Sequence, residues 1–150
     1  MNVTEICKRP AVTILQTEEL GAAARLMRER HIGYLVVVEP HLPGSFRPTG
    51  VLTDRDIVVA VVARGEDPRQ LRVGDVMTRQ PTVVEESKSL SYALEQMRRI
   101  GVRRVPVVGA LGELTGVLSL DDVLDTLARD LHGVASSIRS ELHMEAALRP

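Results

Sequence analysis

Two stretches of the chain carry a hydroxyl residue that is followed three residues later by an aspartate. Thr53 precedes Asp56, and Ser119 precedes Asp122. One interpretation is helix capping, because a hydroxyl at a helix start accepts the N–H of the third helical residue and an acid there can return the bond. The other is a nucleotide site, because a helix N-terminus offers N–H donors to phosphate and a carboxylate can accept ribose hydroxyls. Both roles can coexist in one segment.

The two stretches lie at matching positions of an internal repeat. The pattern Gly-Val-Leu-Thr/Ser-x-x-Asp begins at Gly50 and again at Gly116. Upstream, Leu-x-x-Ala-x-x-x-Met-Arg begins at Leu20 and again at Leu90. The spacing between the patterns differs because one Pro- and Gly-rich loop is longer in the first copy. A length difference confined to such a loop is typical of a true repeat.

Each copy predicts the element order strand, helix, strand, strand, helix. Apolar residues at helical spacing predict the first helix, and continuous valine-rich runs predict strands that are covered on both faces. We therefore predict an α/β (α+β) fold of tandem β-α-β-β-α repeats, packed about a pseudo-twofold axis around a single core. Thr17 and Ser87 are expected to cap the first helix of each copy. The predicted boundaries are 6–66 for the first repeat, 72–131 for the second, and 132–150 for a C-terminal helical extension.

The extension continues an apolar stripe that starts inside the second repeat. Its members alternate in steps of three and four residues: Leu124, Leu127, Leu131, Val134 and Ile138. One interpretation is a helix that lies on its own domain. The other is a seam for a partner subunit, because this spacing resembles a short coiled-coil face.

Composition argues against several classes of function. The 150 residues include two tyrosines, one phenylalanine and no tryptophan, which disfavours stacking platforms for single-stranded nucleic acid. A formal net charge of −1 provides no global field for nucleic acid or anionic membranes. The single Cys7 excludes an internal disulfide, and the four histidines lack metal-ligand spacing. With no bilayer-length apolar run and no visible nucleophile–base pair, we expect a cytoplasmic, non-enzymatic protein without a metal site.

The order and spacing of these motifs resemble the cystathionine β-synthase (CBS) domain. The chain is similar to a stand-alone bacterial CBS pair, also called a Bateman module. The resemblance is carried by Gly50-Val51-Leu52-Thr53-x-x-Asp56, Gly116-Val117-Leu118-Ser119-x-x-Asp122, Gly101-Val102-Arg103-Arg104-Val105-Pro106-Val107-Val108 and Val73-Gly74-Asp75-Val76-Met77-Thr78. The last segment is otherwise interpreted as the cap and entry strand of the second repeat.

The resemblance implies that an adenosine nucleotide (AMP, ADP, ATP or a related adenosyl ligand) occupies clefts between the repeats, with no cofactor required. One cleft would be formed by Thr53, Asp54, Arg55, Asp56, Arg103, Arg104, Val105 and Pro106. In that cleft Asp56 would accept the ribose hydroxyls, and Arg103 or Arg104 would hold phosphate through a planar fork.

The other cleft departs from the family pattern. It would be formed by Gly33, Tyr34, Leu35, Ser119, Asp121 and Asp122. Leu35 is followed by valine where the family commonly has proline, and no arginine here matches Arg103 or Arg104. An acidic pair without balancing cations is unfavourable beside phosphate. We therefore expect this cleft to be weaker, empty, or selective for a ligand without phosphate.

The function implied by the resemblance is regulatory: ligand binding would change the shape or the association of the protein. Family members commonly form homodimers through the helices that follow the positions of Thr53 and Ser119, so we expect a homodimer here, and an unidentified protein target stays open. The alternative is a ligand-independent interaction protein that keeps the fold and recruits a partner through its helical faces.

Overall fold

The computed structural model describes residues 1–149. The first repeat contains β1 (Thr13–Leu15), α1 (Leu20–Arg30), β2 (Tyr34–Pro40), β3 (Phe46–Thr53) and α2 (Asp54–Val58), which continues as a π-helical turn over Val59–Ala63. A connecting segment follows, with α3 (Val73–Val76) and β4 (Thr78–Arg79). The second repeat contains β5 (Val84–Glu85), α4 (Leu90–Ile100), β6 (Arg104–Val108), β7 (Leu114–Ser119) and α5 (Leu120–Leu148). Short 3-10 turns span Val3–Glu5 and Pro68–Gln70.

The strands form two small sheets with matching topology. The first sheet has the order β1-β2-β3-β4 and the second the order β5-β6-β7. In each repeat the short first strand runs parallel to the next one, which then pairs antiparallel with the third. Both antiparallel pairs carry a register irregularity at the same place, between Val37 and Val38 and between Val107 and Val108. The predicted tandem β-α-β-β-α fold is confirmed.

The helix caps differ from the sequence prediction. The N-cap residues of α1 and α4 are Glu19 and Ser89, two positions beyond the predicted Thr17 and Ser87. Ser89 caps α4 with its own hydroxyl, which accepts the Tyr92 N–H (3.2 Å), whereas the Glu19 side chain makes no capping bond to α1. The first N–H of each helix is also bonded by a distant segment: Leu20 donates to the carbonyl of Leu71 (3.1 Å) and Leu90 to that of Met1 (3.0 Å). The start of α1 is thus satisfied by backbone from elsewhere instead of by a side-chain cap.

The expectation of a single core is wrong, because each repeat has its own cluster of buried side chains. The first cluster consists of Ile14, Leu20, Ala23, Met27, Leu35, Val37, Leu52, Val73 and Met77. The second consists of Val3, Ile6, Val84, Leu90, Ala93, Met97, Val105, Val107, Leu118 and Val123. The valine-rich strands are nonetheless covered on both faces as predicted, since residues 35–38 and 105–108 are all buried. The outer faces of these strands therefore lie between the repeats.

The segment before the first repeat packs on the second repeat. Val3 and Ile6 belong to the core of the second repeat. Lys8 pairs with Val117 of β7: the Lys8 N–H donates to the Val117 carbonyl (2.9 Å), and the Val117 N–H donates back (3.1 Å). The N-terminal segment thus adds an extra strand-like edge beside β7.

The segment between the repeats packs on the first repeat. Val73 and Met77 belong to the first core, and Thr78 of β4 pairs with Val51 of β3. Residues 73–78 are therefore not the entry strand of the second repeat. Because each core is completed by the segment that precedes the other repeat, the two repeats are interlocked.

The C-terminal helix α5 runs without interruption through Gly133 and leaves the body of the protein. Val123 is its one buried residue within the described part of the chain. The stripe that includes Leu124, Leu131 and Ile138 is 42–71% exposed, so this helix does not lie on its own domain. None of the helices within residues 1–149 is both long and apolar enough to cross a membrane.

Candidate functional site

A cavity of about 330 Å³ lies between the two repeats, and we call it the Ser119 cavity. It brings together most of the residues expected in the second cleft, namely Gly33, Tyr34, Ser119, Asp121 and Asp122, and it adds Arg104. Its volume is within the usual range for small-molecule sites, about 300–1,000 Å³. Leu35 does not line it in the described structure, because its side chain is buried in the first core.

Ser119 and Asp122 form a hydroxyl–carboxylate pair at the start of α5. The Ser119 hydroxyl accepts the Asp122 N–H (3.1 Å) and donates to the Asp122 carboxylate (2.5 Å). The other carboxylate oxygen of Asp122 lies 2.8 Å from Lys8 Nζ. This bond and the negative charge of Asp122 raise the pKa of Lys8 above its ordinary value. The Asp122 side chain is only 12% exposed. Its negative charge is bonded by the Ser119 hydroxyl and the Lys8 ammonium.

Asp121 is balanced by two arginines of the same repeat. Arg103 Nη2 lies 3.2 Å from one of its carboxylate oxygens, and Arg104 Nη2 lies 3.7 Å from the other. The strand register explains this, because Arg104 pairs directly with Ser119 across β6 and β7. The expectation of an unbalanced acidic pair in this cleft is therefore wrong, because Asp121 is paired with two arginines that were expected in the other cleft.

Tyr34 and Arg104 occupy equivalent positions of the two repeats and contact each other. Tyr34 opens β2 and pairs with Thr53, just as Arg104 opens β6 and pairs with Ser119. The Arg104 guanidinium carbon lies 5.9 Å from the centroid of the Tyr34 ring, within cation–π range. Burial raises the pKa of the Tyr34 phenol well above its ordinary value, and the positive charge of Arg104 partly offsets that rise.

A second cavity, of about 230 Å³, lies at the pseudo-symmetric position, and we call it the Pro106 cavity. Its lining includes Val105 and Pro106 from the predicted first cleft, and it shares Tyr34 and Arg104 with the Ser119 cavity. In the described structure its lining contains no residue from 53–56. The structure thus does not bring the two halves of the predicted first cleft together around one cavity.

The Thr53-to-Asp56 stretch forms a complete capping box at the start of α2. The Thr53 hydroxyl accepts the Asp56 N–H (3.2 Å), and the Asp56 carboxylate accepts the Thr53 N–H (2.9 Å). Arg55 and Asp56 line a separate cavity of about 200 Å³ beside α2. Asp54 lies next to Gly33 and accepts the N–H of Arg55 (2.8 Å). One carboxylate oxygen of Asp56 therefore accepts the backbone N–H of Thr53. The corresponding oxygen of Asp122 accepts the Ser119 hydroxyl instead of the Ser119 backbone N–H.

A model of the CBS domain family matches residues 3–63 and 73–129. The chain belongs to the CBS domain family. Its two CBS repeats pack as a pair, as they do in solved CBS-pair structures. A CBS domain protein from Pyrobaculum aerophilum complexed with AMP superposes with a TM-score of 0.72 at 31% identity, covering 81% of this chain and 89% of that chain.

Curated relatives support the same assignment. Hypoxic response protein 1 of Mycobacterium tuberculosis is 37% identical over 106 residues, which is 71% of this chain and 71% of that protein. An uncharacterized protein of Methanopyrus kandleri is 33% identical over 124 residues, which is 83% of this chain. The chain spans 61% of the length of the latter relative.

Several residues of the Ser119 cavity were not predicted as site residues. They are Lys8, Pro10, Ala11, Val12, His31, Ile32 and Val117. A signal for the first of them exists, because Val-x-Glu-Ile at Val3 matches Val-x-Asp-Val at Val73 and extends the CBS repeat further upstream. That match places Lys8 at the position of Thr78, which reaches across to the other repeat. Among residues 1–149, the side chains of His, Cys, Asp and Glu form no cluster of three or more that could hold a metal ion.

Proposed function

We propose that this CBS pair is a non-enzymatic regulatory module that binds an adenosine nucleotide in the Ser119 cavity. The candidates are AMP, ADP, ATP or a related adenosyl ligand. The observation that carries the proposal is the Asp122 carboxylate, which lines a cavity of about 330 Å³ between the repeats and is held by Ser119 and Lys8. The related Pyrobaculum aerophilum protein, solved in complex with AMP, supports this ligand class.

The ribose and phosphate groups of such a ligand have separate partners in the cavity. Asp122 accepts the ribose hydroxyls, because an ionised carboxylate forms the stronger, charge-assisted hydrogen bonds. Arg104 and Lys8 face the phosphate, and the planar guanidinium of Arg104 can bind two phosphate oxygens together. The apolar side chains of Val12 and Val117 cover the adenine, so this base is held without an aromatic stack.

Arg104 is the cation that phosphate recruits most easily. Its contact with Asp121 is 3.7 Å, longer than the 2.8 Å contact between Lys8 and Asp122. Its contact with Tyr34 is to the ring, with the guanidinium carbon 5.9 Å from the ring centroid, and is not a hydrogen bond to an acceptor. Bound phosphate therefore replaces Asp121 as the partner of Arg104, and Arg103 keeps Asp121 balanced.

The Thr53-to-Asp56 stretch has the capping role in this proposal. Its two reciprocal bonds stabilise the start of α2, and the ligand contacts expected there are made by the equivalent residues Ser119 and Asp122. The Pro106 cavity, which includes Val105 and Pro106, is a second and smaller cleft.

Signalling through association requires a surface that a second copy can cover. Val58 of the first repeat and Leu124 of the second are exposed at equivalent positions of α2 and α5, and Val62 and Leu127 are exposed one helical turn further on. We infer that two copies pair through these faces, in the cytoplasm, where adenosine nucleotides are available. The apolar stripe of α5 favours a second candidate function, in which the same module recruits a protein partner without a ligand.

Calorimetric titration of the folded protein with AMP, ADP, ATP and S-adenosylmethionine tests the ligand proposal. Loss of a hydrogen bond to a charged group costs about 1.5–3 kcal/mol, so Asp122→Ala is expected to weaken binding about tenfold to hundredfold. Asp56→Ala, at the equivalent position of the other repeat, is the matched control and is expected to bind as the wild type does. No binding at millimolar ligand, or equal losses in both variants, would overturn the proposal.

Light scattering separates the two candidate functions. If the nucleotide regulates association, the molar mass of the wild type changes on ligand addition, and that change is absent in Asp122→Ala. If the module is a ligand-independent interaction protein, its molar mass and partner binding are the same with and without nucleotide.

A further inference from the structure

The part of α5 beyond residue 129 lies outside the residues that match the CBS family model. It belongs to the uninterrupted helix Leu120–Leu148, which leaves the body of the protein. The apolar stripe of this helix continues onto that part and reaches Leu142, and its members are 42–71% exposed. The two CBS repeats therefore provide no partner for the outer part of the helix.

The spacing of the stripe fits a seam between two helices. Its members alternate in steps of three and four residues, the seven-residue repeat of a two-stranded coiled coil: Leu124, Leu127, Leu131, Val134 and Ile138. With Leu142 the stripe is about 27 Å long, at a rise of about 1.5 Å per residue. Ala128 and Ala135 lie beside it and are small, so a second helix can approach closely.

Charged side chains lie on the two flanks of the stripe. Asp130 and Glu141, about three turns apart, lie on one flank, and His132 and Arg139, about two turns apart, lie on the other. In a parallel pair of identical helices each flank faces the opposite flank of the partner, so the acids lie on the side of the partner's Arg139. In an antiparallel pair like flanks meet, so acid faces acid, which is unfavourable.

The acids at the start of α5 are balanced by the body of the protein. Asp121 is paired with arginines of β6 and its preceding turn, and Asp122 is paired with Lys8. Asp125 lies on the flank of His132, close to the same ammonium: Asp122 is the main cause of the raised pKa of Lys8, and the charge of Asp125 adds to it. These acids therefore do not prevent two copies from approaching each other at this end of the helix.

We propose that α5 pairs with α5 of a second copy as a parallel two-stranded coiled coil over residues 124–142. This inference deepens the proposed function, and it rests only on the pairing of two copies and not on a ligand. In the parallel arrangement Leu124 and Leu127 meet the same residues of the other copy. The two bodies then lie at the same end of the coil, where the exposed Val58 and Val62 can be covered as well. A seam this short is expected to give a reversible dimer.

A membrane surface is a poorer partner for the same helix. Helices that lie in the membrane interface are typically rich in basic residues on the polar face and have aromatic anchors. The sequence of α5 contains no lysine and no aromatic residue. The heptad spacing also fits a second helix more closely than it fits lipid.

Sedimentation velocity of the full chain over a concentration series, without nucleotide, tests the pairing. The wild type is expected to pass from monomer to dimer as its concentration rises. Ile138→Asp places a charge in the seam and is expected to weaken the dimer about tenfold or more. Ser140→Asp adds the same charge on the opposite, exposed face of α5 and is the matched control, expected to stay within about threefold of the wild type. Circular dichroism checks that both variants keep their helix.

Disulfide cross-linking tests the orientation. Leu131→Cys and Ile138→Cys are made separately in a Cys7→Ala background, so that each chain has one cysteine. A parallel coil sets each of these positions beside itself, so both variants are expected to form disulfide-linked dimers on mild oxidation. An antiparallel pair sets at most one of the two positions beside itself.

The outcomes separate this inference from the proposed function. A wild type that stays monomeric at all concentrations, or equal dimerisation of Ile138→Asp and Ser140→Asp, would overturn the coiled coil and leave nucleotide binding standing. A cross-link in only one cysteine variant, or only in a mixture of the two, would overturn the parallel arrangement. Absence of nucleotide binding would overturn the proposed ligand and leave the coiled coil standing, because both readouts are made without ligand.

Discussion

A methyl group on Gly116 would lie 2.6 Å from the carbonyl oxygen of Lys8, a distance that side-chain carbons do not tolerate. The N-terminal segment therefore crosses β7 at a position where only glycine leaves room for its backbone. The same relationship recurs in the other repeat, where a methyl group on Gly50 would lie 2.9 Å from the carbonyl oxygen of Thr78. The glycine that opens the repeated Gly-Val-Leu-Thr/Ser motif is thus required by a neighbouring strand rather than by the ligand.

Gly116→Ala is expected to destabilise the protein by about 1–3 kcal/mol, the usual cost of overpacking a well-filled site. Gly133→Ala is the matched control, because a Cβ at this position in α5 meets nothing within 4 Å. In a helix interior alanine is favoured over glycine, so the control is expected to gain up to about 1 kcal/mol. Urea unfolding of both variants measures the difference. Equal stability of the two would contradict the close approach of the Lys8 backbone to Gly116.

Val3→Ala and Val73→Ala test the interlocked cores. Each valine is fully buried in the core of the repeat that it does not precede. Removal of two buried methyl groups is expected to cost about 1–3 kcal/mol of unfolding free energy in each variant. Leu111→Ala, at a side chain that is 66% exposed, is the control and should stay within about 0.5 kcal/mol. If Val3 lay in a loose terminus, Val3→Ala would behave like Leu111→Ala in the same unfolding assay.

Thr53→Ala and Ser119→Ala compare the two hydroxyls at equivalent helix starts. Both accept the N–H of the aspartate three residues later, so both variants are expected to lose about 1 kcal/mol of stability. Only Ser119 also donates to its aspartate beside the cavity, so only Ser119→Ala is expected to weaken nucleotide binding as well. Thermal unfolding with parallel AMP titration measures both effects. A loss of affinity in Thr53→Ala alone would reverse the assignment of the two clefts.

Tyr34 is expected to make the protein less stable at alkaline pH. Its phenol pKa is raised in the folded state, mainly by burial and despite Arg104. As the pH rises above about 10, the ordinary tyrosine pKa, the phenol ionises in the unfolded chain before it does so in the folded one. Folding stability that is fully present below that pH is therefore lost as the pH rises through the raised pKa.

The measurement is the urea midpoint at about pH 9 and about pH 11, on either side of the ordinary phenol pKa. Tyr34→Phe is expected to lose less stability between the two values than the wild type. Tyr92→Phe, at a ring that is 46% exposed on α4, is the control. An equal effect of the two substitutions would contradict the role of burial at Tyr34.

Most of the fold is readable in local patterns. The valine-rich runs at residues 34–38 and 105–108 became buried strands, and the leucine and alanine spacing from Leu20 and Leu90 became helices. These predictions succeed because the apolar residues on a buried face recur at a regular spacing along the sequence, which differs between a helix and a strand. The helix caps were missed by two positions: Ser89 caps α4 through its own hydroxyl, and at α1 the Leu71 carbonyl, far along the chain, bonds the first N–H in place of a side-chain cap.

The candidate site, too, was predicted in part from the sequence and decided in part by the tertiary structure. Residue types and spacing identified two hydroxyl–aspartate pairs in an internal repeat, and the resemblance to the CBS family added the two arginines. Which aspartate lines the cavity depended on Lys8, which reaches Asp122 from the N-terminal segment, whereas Asp56 closes its own cap. The pairing of both arginines with Asp121 depended on strand register, since Arg104 lies directly opposite Ser119 across β6 and β7. Both outcomes arise from contacts between distant segments, and such contacts form only when the two repeats pack together.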